Sequence, residues 1–238
     1  MKAVSPILIE ACVTSVPCAI GACQAGARRV ELCDNLYAGG TTPGPGSIQA
    51  ARAHLEIDLH VMIRPRGGDF LYSTLEFEIM KSEIQFCRDH HVDGIVFGIL
   101  RSDGTVDIDR CAELIGLAGT MSTTFHRAFD MTRDPFAALN DLIALGIHRI
   151  LTSGQRPSAR EGIDLIADLV QAAGRRIIIM PGVGIDPFNA AHIMKQSGAR
   201  EFHVYTHTIQ FSRMEYRNPD VFMGTDRDFD EYALDVID

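Results

Sequence analysis

Two short segments of the chain set an acid and a thiol two residues apart: Glu10-Ala11-Cys12 and Glu31-Leu32-Cys33. Each closes a short strand-like run, "ILIEAC" in the first case and "VELC" in the second. On an extended strand, residues i and i+2 share a face, so each motif aims a carboxylate and a sulfur the same way. Paired thiols suit a soft metal ion. Paired carboxylates beside a histidine suit proton transfer near neutral pH. Further along lie Arg64 and Arg66 in "RPRGGDF", whose planar forks match a carboxylate or phosphate, with a Gly67-Gly68 pair that lets backbone approach a ligand. His126 and Asp130 stand close together in "FHRAFD". The turns "TSGQ" and "PGVGID" bring Ser153, Gly154, Gly182 and Gly184.

These residues must be held by a fold of 238 residues with 46% hydrophobic and 22% charged content, enough for a sizeable core. A net charge of −9 and the lack of a basic cluster argue against a nucleic-acid partner. No apolar run reaches the ~18 residues of a membrane helix, and the N-terminal stretch reads as a strand rather than an export signal. The six cysteines show neither a Cys-x-x-Cys pair nor zinc spacing, and are read as reduced thiols of a cytoplasmic protein.

Helix-like stretches end repeatedly in glycine, with a β-rich run just beyond: Gly26, Gly119, Gly146, Gly174 and Gly198 each precede one. Eight strands follow, at 7–11, 29–32, 58–63, 94–98, 122–126, 149–152, 177–180 and 201–204. Seven helical segments lie between them, the clearest at 73–91. Asp134-Pro135 and Asp186-Pro187 read as an N-cap followed by proline at the first helical position. Eight strands alternating with helices predict a (β/α)8 TIM-type barrel, with a doubly wound open sheet as the rival. The chain reads as a single domain, 1–238, with an irregular C-terminal segment from about 205 and a short helix near 228–237.

In a barrel the outer strand face is buried under helices. The apolar phase puts Ile7, Ile9, Ala11, Val30, Leu32, Leu59, Val61 and Ile63 outside. It therefore turns Glu10, Cys12, Arg29, Glu31, Cys33, His60, Met62, Arg64, Thr124, His126, Glu201 and His203 inward. With strands one and two in register, Glu10 and Glu31 would lie roughly 5 Å apart. Both cannot ionise cheaply, and Arg64 and His126 are the expected counter-groups. On this electrostatic reading Glu10→Gln and Glu31→Gln each relieve repulsion and leave the fold intact; a structural salt-bridge network to Arg64 predicts the opposite. Inward polar residues at the strand C-termini form the active site of this fold. Glu10, Glu31, Arg64, His126 and Asp130 are thus catalytic candidates. Arg66, Ser153, Gly154, Gly182 and Gly184 are anion-binding candidates, the last four as a phosphate cradle late in the barrel.

The strings "IEACVTS", "GARRVELCDNLYAGGTTPG", "VMIRPRGGDFLYS", "DGIVFGIL", "TFHRAFD", "RILTSG", "GAREFH" and "SRMEYRN" resemble the CutC family of copper-homeostasis proteins. The resemblance implies a TIM-type barrel, cytosolic and homo-oligomeric, that handles Cu(I). It also implies Cys12 and Cys33 as copper ligands. Gly44 replaces a common serine, and "PGVGID" and "FHVYTHT" depart locally from the family wording. Two functions remain open at this point: a Cu(I)-binding homeostasis protein, and an enzyme doing acid–base chemistry on a small anionic or phosphorylated substrate.

Overall fold

A computed structural model describes residues 7–205, 207–221, 223 and 230–236. Eight strands run parallel: β1 Leu8–Val13, β2 Arg29–Leu32, β3 Asp58–Met62, β4 Gly94–Phe97, β5 Ser122–Phe125, β6 Arg149–Thr152, β7 Ile178–Pro181 and β8 Glu201–Val204. They pair in chain order from β1 to β7, and β8 returns to pair with β1, so the sheet wraps into a nearly closed barrel. Seven helices alternate with them: α1 Val16–Gln24, α2 Pro45–His54, α3 Thr74–Asp89, α4 Ile108–Ala118, α5 Pro135–Ala144, α6 Ile163–Ala173 and α7 Ala190–Ser197. The TIM-type barrel is the architecture the sequence predicts, and the open sheet is excluded.

Local chemistry explains the boundaries. Ser73 and Glu76 form a reciprocal capping box at the start of α3. Asp134 caps α5 with Pro135 at its first position, as expected. Gly119 and Gly174 end α4 and α6 with φ of 62° and 60°, where a side chain would be strained. The helix expected to begin at Pro187 begins instead at Ala190. Asp186 accepts from the Phe188 and Asn189 amides, closing a turn ahead of the helix rather than capping it.

Apolar side chains separate into two sets. Val30, Leu32, Leu59, Val61, Ile95, Phe97, Phe125 and Ile150 point outward and join the helices in the main core. Fully burying such a side chain contributes about 1.5–3 kcal/mol. Cys12, Cys33, Met62 and Val96 form a separate small cluster inside the barrel, with Leu36 against it. The phase argument holds here, with one correction. Ile7 and Ile9 remain 43% and 37% exposed, facing an apolar groove shared with Phe202, Val204 and Met194. Among the described residues no helix follows β8 to cover them. The chain instead forms a two-stranded antiparallel hairpin, β9 Thr208–Phe211 with β10 Ala233–Val236. The short helix expected near 228–237 is therefore a strand at its described residues 233–236. An isolated short helix is marginal in water, whereas pairing with β9 satisfies this backbone.

Candidate functional site

Strand stagger sorts the inward residues into levels. Glu10 lies opposite Arg29 on β2, and Cys12 opposite Glu31. The two Glu-x-Cys motifs are thus offset by two residues instead of level, because closing a barrel requires a shear between neighbouring strands. Glu31 stands one level above Glu10, and Cys33 one level above Cys12.

The lower level is a closed ion network. Arg29 Nε donates to Glu10 Oε2 at 2.5 Å and its Nη2 to Glu201 Oε2 at 2.6 Å. Arg149 Nε donates to the same Glu201 oxygen at 3.0 Å, with Ser122 Oγ taking its Nη1 at 2.8 Å. His203 Nδ1 lies 2.8 Å from the other Glu10 oxygen. Burial alone would raise Glu10. The His203 hydrogen bond and the charges of His203, Arg29 and His60 overcome that and hold it well below the usual carboxylate range. The counter-groups of Glu10 are therefore Arg29 and His203, where the sequence expectation named Arg64 and His126. Arg29 was legible as inward, two residues before Glu31. Arg149 was not identified, although its place at the start of β6 carries the same signal.

The upper level is unbalanced. Cys12 Sγ and Cys33 Sγ lie 3.6 Å apart. The Cys33 contact pulls the Cys12 thiol down to about 5 against its burial, with His203 adding to the effect. The same contact, together with burial, pushes Cys33 well up. Burial raises Glu31 to about 8, so it is mostly protonated at neutral pH, and its Oε1 has no hydrogen-bond partner. His203 Nε2 stands 3.5 Å from the other Glu31 oxygen. Donor atoms of Cys12, Glu31 and Cys33 all lie within 4.8 Å of one another, a set able to hold a metal ion.

Above this level opens a cavity of about 430 Å3 at the C-terminal ends of the strands. Cys12, Glu31, Cys33 and His203 line it, with Met62 and Leu151; Arg64, Phe70, His126, Asp130, Met131 and Gly184 also line it. Glu10 does not, being fully buried among its partners. Arg64 donates to the carbonyls of Ala38, Gly40 and Gly68, and its guanidinium lies 5.1 Å from the Phe70 ring centre. His126 accepts the Ala128 amide at Nδ1. Glycine on β4 and just past it makes room for two imidazoles: a Cβ at Gly94 would come within 2.4 Å of His60, and one at Gly98 within 2.5 Å of His126. Val183, on the loop after β7, lines the cavity with a φ of 76°, a conformation that is strained for a β-branched residue.

Of the loop residues singled out for an external anion, Ser153 faces an internal one. Asp130 accepts from Thr152 Oγ1 at 2.5 Å, from both the Ser153 amide and hydroxyl at 3.0 Å, and from the Gln155 amide at 3.1 Å. Arg127 Nε completes the set at 2.9 Å. Gly154 packs against Gly162, and a Cβ at Gly182 would strike Leu151. Arg66 is engaged by Glu76 at 2.6 Å and Asp69 at 2.9 Å, away from the cavity.

The model of the CutC family matches residues 7–208. A CutC family protein of Chromobacterium violaceum is 50% identical over 226 residues, covering 95% of this chain and 91% of its own. The human copper homeostasis protein cutC homolog is 46% identical over 236 residues, covering 99% of this chain and 86% of its own. A solved CutC structure from Streptococcus agalactiae superposes with a TM-score of 0.80 at 37% identity, covering 83% of this chain and 97% of that one.

Proposed function

The chain belongs to the CutC family of copper-homeostasis proteins, and from that premise we propose that it binds Cu(I) between Cys12 and Cys33. The observation that carries this reading is the 3.6 Å approach of the two sulfurs on neighbouring strands. The donors fit the ion. Cu(I) is soft and favours thiolate and thioether ligands, and Met62 belongs to the same small cluster as the two cysteines. Cys12 is the thiol most readily ionised, because Cys33 and His203 stabilise its thiolate. Glu31 offers a third donor. We also take the protein to be one domain, cytoplasmic and homo-oligomeric. The uncovered β1–β8 face supports self-association, and six free thiols suit a reducing compartment.

A second reading is favoured by the size of the cavity, which exceeds what a single ion needs. A protonated Glu31 beside an ionised Cys12 forms an acid–base pair for a small substrate. Competition against a Cu(I) chelator tests the first reading. One ion per chain is expected for the native protein, with binding lost in Cys12→Ser and in Cys33→Ser. Unchanged affinity in both variants removes copper from these residues and leaves the acid–base reading.

A further inference from the structure

Three arginines are buried among the described residues: Arg29, Arg64 and Arg149. Arg29 and Arg149 are ion-paired to Glu10 and Glu201. Arg64 is 4% exposed, and no carboxylate among the described residues lies within ion-pair distance of it. It meets neutral carbonyls, the Phe70 ring and the Tyr72 hydroxyl, and its Nε is buried with no hydrogen-bond partner among the described residues. A guanidinium does not lose its proton, so a full positive charge stands uncompensated in the cavity wall.

A second orphan lies beside it. His126 is 3% exposed, and its ring centre is 5.0 Å from that of Phe70, the ring that Arg64 also covers. Burial, followed by the charge of Arg64, holds His126 down to about 3, so the ring is neutral. Its Nδ1 accepts the Ala128 amide, which leaves the hydrogen on Nε2. That Nε2 is buried and has no partner.

We propose that Arg64 and His126 form a carboxylate subsite, and that the cavity takes a small organic carboxylate with an apolar body. One cation and a neutral N–H donor match a monoanion with two oxygens. A phosphate dianion would add an uncompensated charge above a floor that already holds the acids and Cys12. The rest of the wall favours carbon: Leu36, Met62, Phe70, Met131 and Leu151 line the same space. The subsite is independent of the copper reading, since neither residue is a thiol or touches one.

The test is calorimetric titration of metal-free, full-length protein with acetate, butyrate and hexanoate at neutral pH and constant ionic strength. Affinity should rise at least about tenfold from acetate to hexanoate as methylenes enter the apolar wall. Inorganic phosphate should neither bind there nor displace hexanoate. Arg64→Met should weaken hexanoate by about tenfold or more and His126→Phe severalfold. Because Arg64 also ties three loop carbonyls, its variant disturbs those loops independently of any ligand; His126→Phe and the native series decide. Absence of saturable carboxylate binding by the native chain below roughly 50 mM overturns the proposal, as does phosphate displacing hexanoate or full affinity in His126→Phe.

Discussion

Below the level of Cys12 the lumen charges are matched; above it they are not. On the floor two arginines meet two glutamates, and each carboxylate oxygen of Glu10 has its own cation. At the mouth, among the described residues, Arg64 has no counter-ion, Glu31 keeps an oxygen with no partner, and His126 an N–H with none. Both regions are buried, and both are built from the same inward strand phase. The contrast shows that buried polarity has two uses in one barrel. Where the charges pair off, the group holds strands in register, even though His60 Nδ1, 3.7 Å from Glu10 Oε2, lacks a hydrogen-bond partner among the described residues. Where donors are left over beside a cavity, the missing partner is a ligand.

That contrast breaks first at Arg29. Arg29→Met would strand Glu10 and Glu201 without their shared cation, and a loss of ~3–5 kcal/mol is expected in denaturant unfolding. Arg64→Met removes a charge that has no acid to strand, so its cost should be distinctly smaller. Equal losses would erase the distinction between floor and mouth.

The two acids sharpen it. Sequence electrostatics treated Glu10→Gln and Glu31→Gln alike; the structure separates them. Glu10 has a lowered pKa, so it contributes stability above the ordinary carboxylate value, and Glu10→Gln should cost about 1.5–3 kcal/mol at pH 7. Glu31 is raised to about 8, so the folded chain keeps a proton that the unfolded chain releases, and stability falls as pH climbs from about 4.5 towards 8. Glu31→Gln lacks that loss. Its melting temperature should therefore gain on the native protein between pH 5 and pH 8, whereas Glu10→Gln should lag throughout. Parallel behaviour of the two variants would refute the assignment of one acid to the network and the other to the cavity.

The smallest expected effect concerns His60 and His126, each held by burial down to about 3. The unfolded chain accepts protons near pH 6.5 that these folded sites refuse, so stability is lost as pH falls from about 6.5 towards 3. Between pH 7 and 5.5 each histidine should contribute about 1 kcal/mol of that loss. His126→Gln should remove its share of the slope, read from urea midpoints at the two pH values.

Much of this was legible in the chain. The eight strands, the inward set and the clustering of Cys12, Cys33, Arg64 and His126 near one end follow from period-two alternation and helix punctuation. What alternation cannot carry is shear. The 21-residue spacing of the Glu-x-Cys motifs suggested two acids side by side, but a two-residue stagger pairs Glu10 with Arg29 instead. Nor does a glycine-bearing turn reveal what its amides bind. The "TSGQ" loop looked open to an external anion, whereas Asp130, on the neighbouring β5 loop, reaches it from within. The missing cover over Ile7 and Ile9 was hidden for a related reason: an apolar outer phase marks a face as wanting burial, not as having it.

The two glycines on one strand edge carry a consequence for how this lumen can change over generations. Because a methyl at Gly94 or Gly98 would collide with the rings of His60 or His126, neither position can acquire a side chain while its histidine stands. At Gly94 the histidine must go first, and the vacated space then admits alanine; at Gly98 a methyl would still meet the Ala128 Cβ at 2.8 Å. Once that second substitution is fixed, the first cannot revert without a clash. The barrel thus contains a one-way gate in its sequence space, and a lineage that loses His60 and then fills Gly94 cannot regain that imidazole by a single mutation.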